Sequence, residues 1–385
     1  MMPSSPALPQ RNAGIDLLRG LSIVIVVCHH LSLRIPLAHT VIGHILPHPL
    51  VAMFAWGGGD AVTMFFVISG FLITRRTFTK YGDFRTIDAA GFLLHRAARI
   101  LPLLCALMLV LGVLSLTGLK DFSFRPAQSW SAAVFAVLTC HFNWYEAQTG
   151  WPPPGWDVLW SLSIEEAFYL AFPILCLIGA GPRLFLLAAL VILGPIDHGL
   201  LHASSEIWQE KAYLPGFGAI ATGVLAAWLT QRLEQPDLRT ATCLIGLGIA
   251  SACVELLDTG PVFRHVGESE SLFLTLGTAM MLLCFHWRET SRAASAPARG
   301  TGWIRHCGQH GYEIYLTHMF IVMPAVHLWR LTGLPTTVGI VMYPPVLMIC
   351  ACLGAQVARY ASRPWAARLD ALAPQPTRWR QKPNM

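Results

Sequence analysis

An arginine and a histidine stand eleven residues apart in a mostly apolar segment near the start of the 385-residue chain. Arg19 and His30 are separated by about three helical turns, so both leave a helix on nearly the same face, roughly 16 Å apart along its axis. Ionisable groups inside apolar spans are costly and by default mark a functional site. The spacing predicts an anion held at Arg19, which Asp16 can pair with, and a proton moved by His30. A satisfied interior histidine is the structural alternative.

A second basic group follows the next apolar segment. Arg96 and Arg99 are one helical turn apart and can grip one phosphorylated ligand with charge-assisted bonds, with Arg75 in the same basic stretch. An ordinary set of cytoplasmic cations is the alternative interpretation.

Two further intramembrane groups are candidates for the histidine end of such a site. Glu165, in WSLSIEEAFYL, is a candidate partner that orients His30 and stabilises its protonated ring. His318, in GYEIYLTHMF, would line the same cavity or serve only as an interhelical hydrogen bonder.

Composition places these groups in an all-α integral membrane protein. Hydrophobic residues make up 54% of the chain, charged residues only 12%, and the net charge of +6 fits basic loops better than nucleic-acid binding. The ten cysteines are scattered, which favours buried thiols over disulfides or metal ligands. His39, His44 and His48 share one loop, but Pro47 and Pro49 break the helix that would align them, so no metal site is predicted.

The apolar pattern predicts ten transmembrane helices. They are residues 11–33, 60–74, 100–119, 160–178, 184–200, 213–229, 241–257, 271–285, 312–329 and 338–357. With both termini in the cytoplasm, 21 of the 27 basic residues fall on the inner side. Residues 130–140 are a full span or an interfacial helix, and the charge bias favours the interfacial one. The first segment reads as a retained helix rather than a cleaved signal peptide.

Several stretches, in order, resemble the acyltransferase 3 family of membrane-bound O-acyl-transferring enzymes. They are RNAGIDLLRGLSIVIVVCHH, FFVISGFLI, the Arg96 and Arg99 pair before a span, WSLSIEEAFYL, GYEIYLTH and YASRPWAARL. The likeness covers residues 11–370, between a tail at 1–10 and a basic, Pro-rich tail at 371–385 that we expect to be disordered. Thr317 and Ser362 depart from residues common in the family. A fused C-terminal esterase-like domain is not expected.

The resemblance implies a ten-helix domain that moves an acyl group from cytoplasmic acyl-CoA to a hydroxyl, often on a carbohydrate at the outer face. It assigns Arg19 and His30 to the Arg-x10-His motif, with His30 as general base. The RxxR motif associated with the donor matches Arg96 and Arg99, and the acidic residue of WSLSxEE matches Glu165. Ser69 with the following glycine matches the FFxxSG motif.

On this hypothesis the CoA phosphates bind the inner arginines while the thioester reaches His30. The donor group comprises Arg19, Arg75, Arg96 and Arg99, and the acceptor pocket or oxyanion group comprises Ser69, Trp160, Ser161 and His318. His30, oriented by Glu165, would take the proton of the acceptor hydroxyl. A covalent acyl-histidine intermediate is an alternative.

The expected partners are acyl-CoA, such as acetyl-CoA, as co-substrate, a glycan or lipid-linked glycan as acceptor, and the lipid bilayer, with no bound cofactor and no nucleic acid. The expected location is the inner membrane of a bacterium. The rival functions are a secondary transporter, which predicts an inverted repeat that the sequence lacks, and an acyltransferase for a lipid or small natural product.

Overall fold

A computed structural model describes residues 11–200, 205–257, 270–290 and 299–372. The predicted tail at 1–10 and residues 373–385 of the predicted C-terminal tail lie outside these ranges. The described chain is helical, with turns and loops and no strand. The α-helices are Ala13–Ser32 (α1), Val41–Ile45 (α2), His48–Trp56 (α3), Gly58–Tyr81 (α4), Ala89–Leu116 (α5), Trp130–Leu138 (α6), Phe142–Thr149 (α7), Pro154–Asp157 (α8), Trp160–Leu177 (α9), Ala180–Leu200 (α10), Glu206–Lys211 (α11), Tyr213–Leu229 (α12), Leu238–Leu256 (α13), Ser271–Thr290 (α14), Gly302–Gln309 (α15), Gly311–Thr317 (α16), Met319–Thr332 (α17), Tyr343–Val357 (α18) and Arg363–Leu372 (α19).

The all-α membrane fold predicted from composition is confirmed. Among the described residues, seven helical segments are long and apolar enough to cross a membrane, and the bent pair α16 and α17 makes eight. The remaining two predicted spans, at 184–200 and 271–285, are also helical, as α10 and α14. Ten spans with both termini inside stays a prediction.

The stretch between α5 and α9 does not contain a helix of membrane-spanning length. Helix α6 has nine residues, about 14 Å of helix against a hydrocarbon core of about 30 Å. Helix α7 is instead tied to neighbouring spans, since Ser163 accepts a 2.9 Å bond from the amide of Phe142 and the Lys211 carbonyl accepts one from Asn143. This agrees with the interfacial interpretation.

Glycines set how closely the central helices approach. A Cβ on Gly70 of α4 would lie 2.0 Å from the Ile220 carbonyl oxygen of α12, and one on Gly223 would lie 1.9 Å from the Val67 carbonyl oxygen. Small residues at helix contacts let membrane helices pack backbone to backbone. The glycine of FFVISG therefore holds α4 against α12, which fixes the neighbouring Ser69.

Candidate active site

A cavity of about 690 Å³ lies between α1, α4, α5, α9 and α16. Seven cationic side chains line it: Arg11, Arg19, Arg75, Arg76, Lys80, Arg96 and Arg99. The carboxylates in its wall are Asp16 and Glu165. The excess of positive charge suits a ligand with several negative charges.

The cavity has a charged end and an apolar end. Along α4 its lining runs from Val62 to Tyr81, about 28 Å of helix. Arg75, Arg76 and Lys80 lie at the C-terminal end of this run, and we call that end of the bundle the cationic end. Apolar side chains and the hydroxyls of Ser161 and Tyr315 line the opposite end.

Two of the cations already have counter-ions or anionic neighbours. Arg75 pairs with Glu289 at 3.1 Å, and Glu289 also accepts a bond from the Asn12 amide. Asp16 binds Arg11 at 3.3 Å and Gln309 at 3.2 Å. Asp16 attracts Arg19 but forms no direct ion pair with it, so the predicted pairing is wrong as a contact: Arg11, just before the helix, binds the carboxylate instead.

Arg19 and Arg99 are the cations most available to a ligand. Among the described residues neither has a hydrogen-bond or ion-pair partner, and Arg99 is exposed. Their charges lie close enough to repel each other. Two neighbouring guanidiniums that repel each other are stabilised when an anion binds both.

Glu165 lies in the wall of the cavity and is held by its neighbours. Its carboxylate accepts hydrogen bonds from the hydroxyls of Ser69 and Tyr169, and these two hydroxyls are 2.6 Å apart. The guanidinium of Arg96 stacks on the Tyr169 ring at 3.8 Å from its centre. The sequence-based prediction that Glu165 orients His30 is therefore wrong, since the carboxylate is committed to α4 and to its own helix.

His30 has a different partner. Its Nδ1 lies 2.9 Å from the Val26 carbonyl oxygen and 3.4 Å from Nε2 of His318. His318 is fully buried, and its Nδ1 lies 2.8 Å from the Tyr315 carbonyl oxygen. With His29, whose Nδ1 contacts the Ala55 carbonyl at 2.8 Å, they form what we call the histidine layer.

These contacts fix where the protons sit in the neutral rings. A carbonyl oxygen only accepts, so Nδ1 of His30 and Nδ1 of His318 each carry the proton, an assignment from hydrogen-bond partners. Nε2 of His318 then accepts a share of the His30 N–H. Nε2 of His30 keeps its lone pair and has no hydrogen-bond partner among the described residues. This nitrogen is positioned to act as a base.

The predicted site residues thus fall in two groups. Seven of the ten line the cavity: Arg19, Ser69, Arg75, Arg96, Arg99, Ser161 and Glu165. The other three lie beyond its lining: His30, Trp160 and His318. Apart from the orienting contact predicted between Glu165 and His30, the roles assigned to these residues stay predictions.

Sequence reasoning missed a buried ion cluster beside Trp160. Lys211 is 4% exposed and its Nζ lies 2.8 Å from Glu146 and 2.5 Å from Asp157. The same Nζ stands over the rings of Trp151 at 4.3 Å and Trp160 at 5.7 Å. Burial raises the pKa of the Glu146 carboxyl, and attraction to Lys211 opposes that shift. The only sequence signal was an isolated lysine directly before an apolar span.

A comparison with protein families decides the relationship that the motifs suggested. The profile of the acyltransferase 3 family, described as an acyltransferase domain, matches residues 12–359. The chain belongs to this family. The resemblance stated from the motifs is confirmed.

Curated relatives match the same region. Peptidoglycan O-acetyltransferase OatA of Listeria monocytogenes is 28% identical over 337 residues, which cover 80% of this chain and 49% of the relative. A Bacillus subtilis protein provisionally named peptidoglycan O-acetyltransferase YrhL is 24% identical over 340 residues, covering 80% and 48%. A Staphylococcus aureus protein provisionally named O-acetyltransferase is 30% identical over 167 residues, covering 42% and 24%.

The acyltransferase 3 chain described here spans half or less of the length of these relatives. No solved structure matches it.

Proposed function

We propose that this chain is a membrane-embedded O-acyltransferase. It moves an acetyl-like group from acyl-CoA to a hydroxyl of a cell-surface or exported glycan, with peptidoglycan as the acceptor that the names of its relatives suggest. The observation that carries the proposal is a cationic cavity whose far end lies next to His30, whose Nε2 has no hydrogen-bond partner in the described part of the chain. Family membership favours acyl transfer over the transporter hypothesis.

The cavity supports a donor that is anionic at one end and apolar at the other. The phosphates of CoA would lie at the cationic end, on Arg19, Arg96 and Arg99, where each charge-assisted bond contributes about 1.5–3 kcal/mol. The pantetheine arm would follow α4 toward Val62. This direction brings the thioester to the level of Ser161 and Tyr315, one layer from His30.

His30 is the general base in the proposed reaction. Its Nε2 takes the proton of the acceptor hydroxyl as the hydroxyl oxygen attacks the thioester carbonyl carbon. The carbon–sulfur bond then breaks, and the leaving thiolate takes that proton from His30. The Nδ1 proton, shared between the Val26 carbonyl and His318, stays in place throughout and holds the ring orientation.

The proposed sidedness follows from the same arrangement. Arg34, which follows the C-terminal end of α1, is near enough to Asp157 to be attracted by it and to Arg330 to be repelled by it. Arg11, just before the start of the same helix, lines the cavity, so we place Arg34 at the end opposite the cationic end. With the cationic end in the cytoplasm of a bacterium, donor and acceptor approach the histidine layer from opposite sides of the inner membrane. The positive-inside bias of the sequence supports this orientation.

Turnover by the purified protein tests the proposal. Detergent-solubilised protein is given radiolabelled acetyl-CoA with soluble peptidoglycan fragments, and both free CoA and labelled glycan are measured. We expect wild type to form both products, His30→Ala to form almost none, and Arg330→Ala, an exposed arginine at the opposite end, to behave as wild type. Absence of labelled glycan with acetyl-CoA and with longer acyl-CoA donors would overturn the proposal.

A further inference from the structure

A pair of hydroxyls separates the cavity from the histidine layer. Tyr315 of α16 and Ser161 of α9 both line the cavity, and their hydroxyl oxygens are 2.8 Å apart. Behind them, the ring centre of Tyr315 lies 6.0 Å from that of His318. The ring of Phe65 stands edge-on to Tyr315 at 6.4 Å on the cavity side. The bonded pair therefore connects two helices across the apolar end of the cavity.

This separation is unexpected for the proposed reaction. A thioester in the cavity meets Tyr315 and Ser161 before it meets His30, since the lining contains the hydroxyl pair and not the histidine. His30 is partly exposed, His318 is buried, and neither lines the cavity. We therefore infer that water reaches His30 from the other end and that the hydroxyl pair lies between the two half-sites.

We propose that the Tyr315 and Ser161 pair is a barrier that keeps the bound thioester from His30 and from water until an acceptor is present. The proposal rests on the proposed function and adds to it a means of preventing transfer of the acyl group to water. The two hydroxyls are barrier residues that position the donor, distinct from the base.

The helix that carries Tyr315 is broken close to the hydroxyl pair. Helices α16 and α17 meet at a 47° bend, and the break falls at His318, three residues after Tyr315. A break in a membrane helix frees backbone groups, here partly satisfied by Nδ1 of His318 on the Ile314 and Tyr315 carbonyls. An acceptor that contacts the histidine layer would act directly on this break and so on the Tyr315 bond.

The barrier predicts a specific side reaction when it fails. Water would replace the acceptor: its oxygen attacks the thioester carbonyl carbon, the carbon–sulfur bond breaks, and the products are acetate and free CoA. His30 would accept a proton from that water as it does from a hydroxyl. Loss of the barrier therefore raises CoA release without acceptor.

The first test measures this leak. Tyr315→Phe keeps the ring and removes the hydroxyl, and Ser161→Ala removes its partner. We expect each to raise the ratio of CoA released without acceptor to CoA released with it by about five- to tenfold, the effect of losing one hydrogen bond. The double variant should do no more, because both changes remove the same bond. Tyr343→Phe, which removes a tyrosine hydroxyl bonded to the Ile35 carbonyl outside the cavity lining, should leave the ratio unchanged.

A second test measures the barrier without any donor. In a background lacking the ten native cysteines, a cysteine at position 30 (His30→Cys) is exposed, in sealed proteoliposomes, to a membrane-impermeant thiol reagent on the side that carries Lys80. We expect slow labelling with Tyr315 present and several-fold faster labelling with Tyr315→Phe or Ser161→Ala. A cysteine at position 69 (Ser69→Cys), on the cavity side, should label at the same rate in each.

The two tests separate this proposal from the proposed function. Wild type that releases no CoA from any acyl-CoA defeats the proposed function, while the labelling rates still decide whether the pair is a barrier. Unchanged labelling at position 30 in both barrier variants overturns the barrier. Active wild type with an unchanged leak ratio in the variants overturns it as well and leaves the acyltransferase proposal standing. If Tyr315→Phe does not fold, Ser161→Ala supplies the same comparison.

Discussion

Nε2 of His318 lies 3.4 Å from Nδ1 of His30, so two helices far apart in sequence meet at one shared proton. In the proposed mechanism His318 takes the orienting role that sequence reasoning gave to Glu165. Because Nδ1 of His30 is engaged in this contact, Nε2 is the nitrogen left to act as the base. A histidine that holds another histidine adds no negative charge, so the second ring orients the base without stabilising its protonated form as a carboxylate would.

Removing the two imidazoles should therefore have unequal and non-additive effects. We expect His30→Ala to lower kcat by about 10² to 10⁴, the usual contribution of a general base. His318→Ala should lower kcat less, because the bond from His30 to the Val26 carbonyl remains. The double variant should be no slower than His30→Ala, as measured by initial rates at saturating donor. A double variant whose loss is the product of both single losses would contradict this link.

The donor arginines should differ in what their loss does. Arg99 is exposed and unpartnered among the described residues, whereas Arg96 stacks on Tyr169. Arg99→Ala should raise the donor KM about 10- to 100-fold, the loss of one charge-assisted contact, with kcat nearly unchanged. Arg99→Lys should recover part of the lost donor affinity, because the charge is kept. Arg96→Lys should still bind the donor less tightly than wild type, because an ammonium does not stack on Tyr169 as a guanidinium does. Donor titrations of wild type and the three variants measure these differences.

The carboxylate of Glu165 should be energetically coupled to Arg96 and not to His30. Glu165 and Arg96 both contact Tyr169, so we expect the loss of acetyl-CoA affinity in the Glu165→Gln and Arg96→Ala double variant to be smaller than the summed single losses. When Glu165→Gln is combined with His30→Ala, the two effects on acetyl-CoA affinity should add. Equilibrium binding of labelled acetyl-CoA to the single and double variants gives both double-mutant cycles. Coupling to His30 in place of Arg96 would restore the sequence-based assignment.

Some features of the site and the fold could be predicted from the sequence alone. The spacing of Arg19 and His30 on one helix, and the RxxR pair, required only helical periodicity, and the structure places both arginines of that pair in the cavity wall. The helical membrane class followed from composition. In each case the information lay within one helix or in the total count of apolar residues.

Contacts between helices could not be predicted from helical periodicity or composition. The partner of Glu165 on another helix depends on how α4 and α9 are rotated, which places Ser69 against the carboxylate. The Asp16 prediction failed for a related reason, since its partners Arg11 and Gln309 come from a helix start and from a distant helix. The meeting of His30 and His318 likewise joins residues 288 positions apart. Periodicity gives the face of a helix and not the identity of its neighbour.

The buried Lys211 cluster should be important for folding. Lys211→Met leaves Glu146, which is fully buried, and Asp157 without their cation. Breaking such a pair typically costs about 3–5 kcal/mol, so we expect a large drop in the thermal unfolding temperature in detergent. A triple variant, Lys211→Met with Glu146→Leu and Asp157→Asn, should recover much of it, because no unpaired charge is left. Lys120→Ala, an exposed lysine, is the control, and a small effect of Lys211→Met alone would contradict this role.

The close contact of α4 and α12 should tolerate no methyl group at Gly70. A Cβ there would lie 2.0 Å from the Ile220 carbonyl oxygen, a backbone atom that moves only if the helices separate. Helix α4 carries Ser69 and the largest share of the cavity lining, so separation would also disrupt the site. We expect Gly70→Ala to yield little monodisperse protein by size-exclusion chromatography, and Gly223→Ala, which meets the Val67 carbonyl, to behave alike. Gly59→Ala, in the same helix with nothing within 4 Å, should be neutral or stabilising by about 1 kcal/mol. A stable, active Gly70→Ala protein would mean that α4 and α12 are farther apart than described, and that Ser69 is positioned by some other contact.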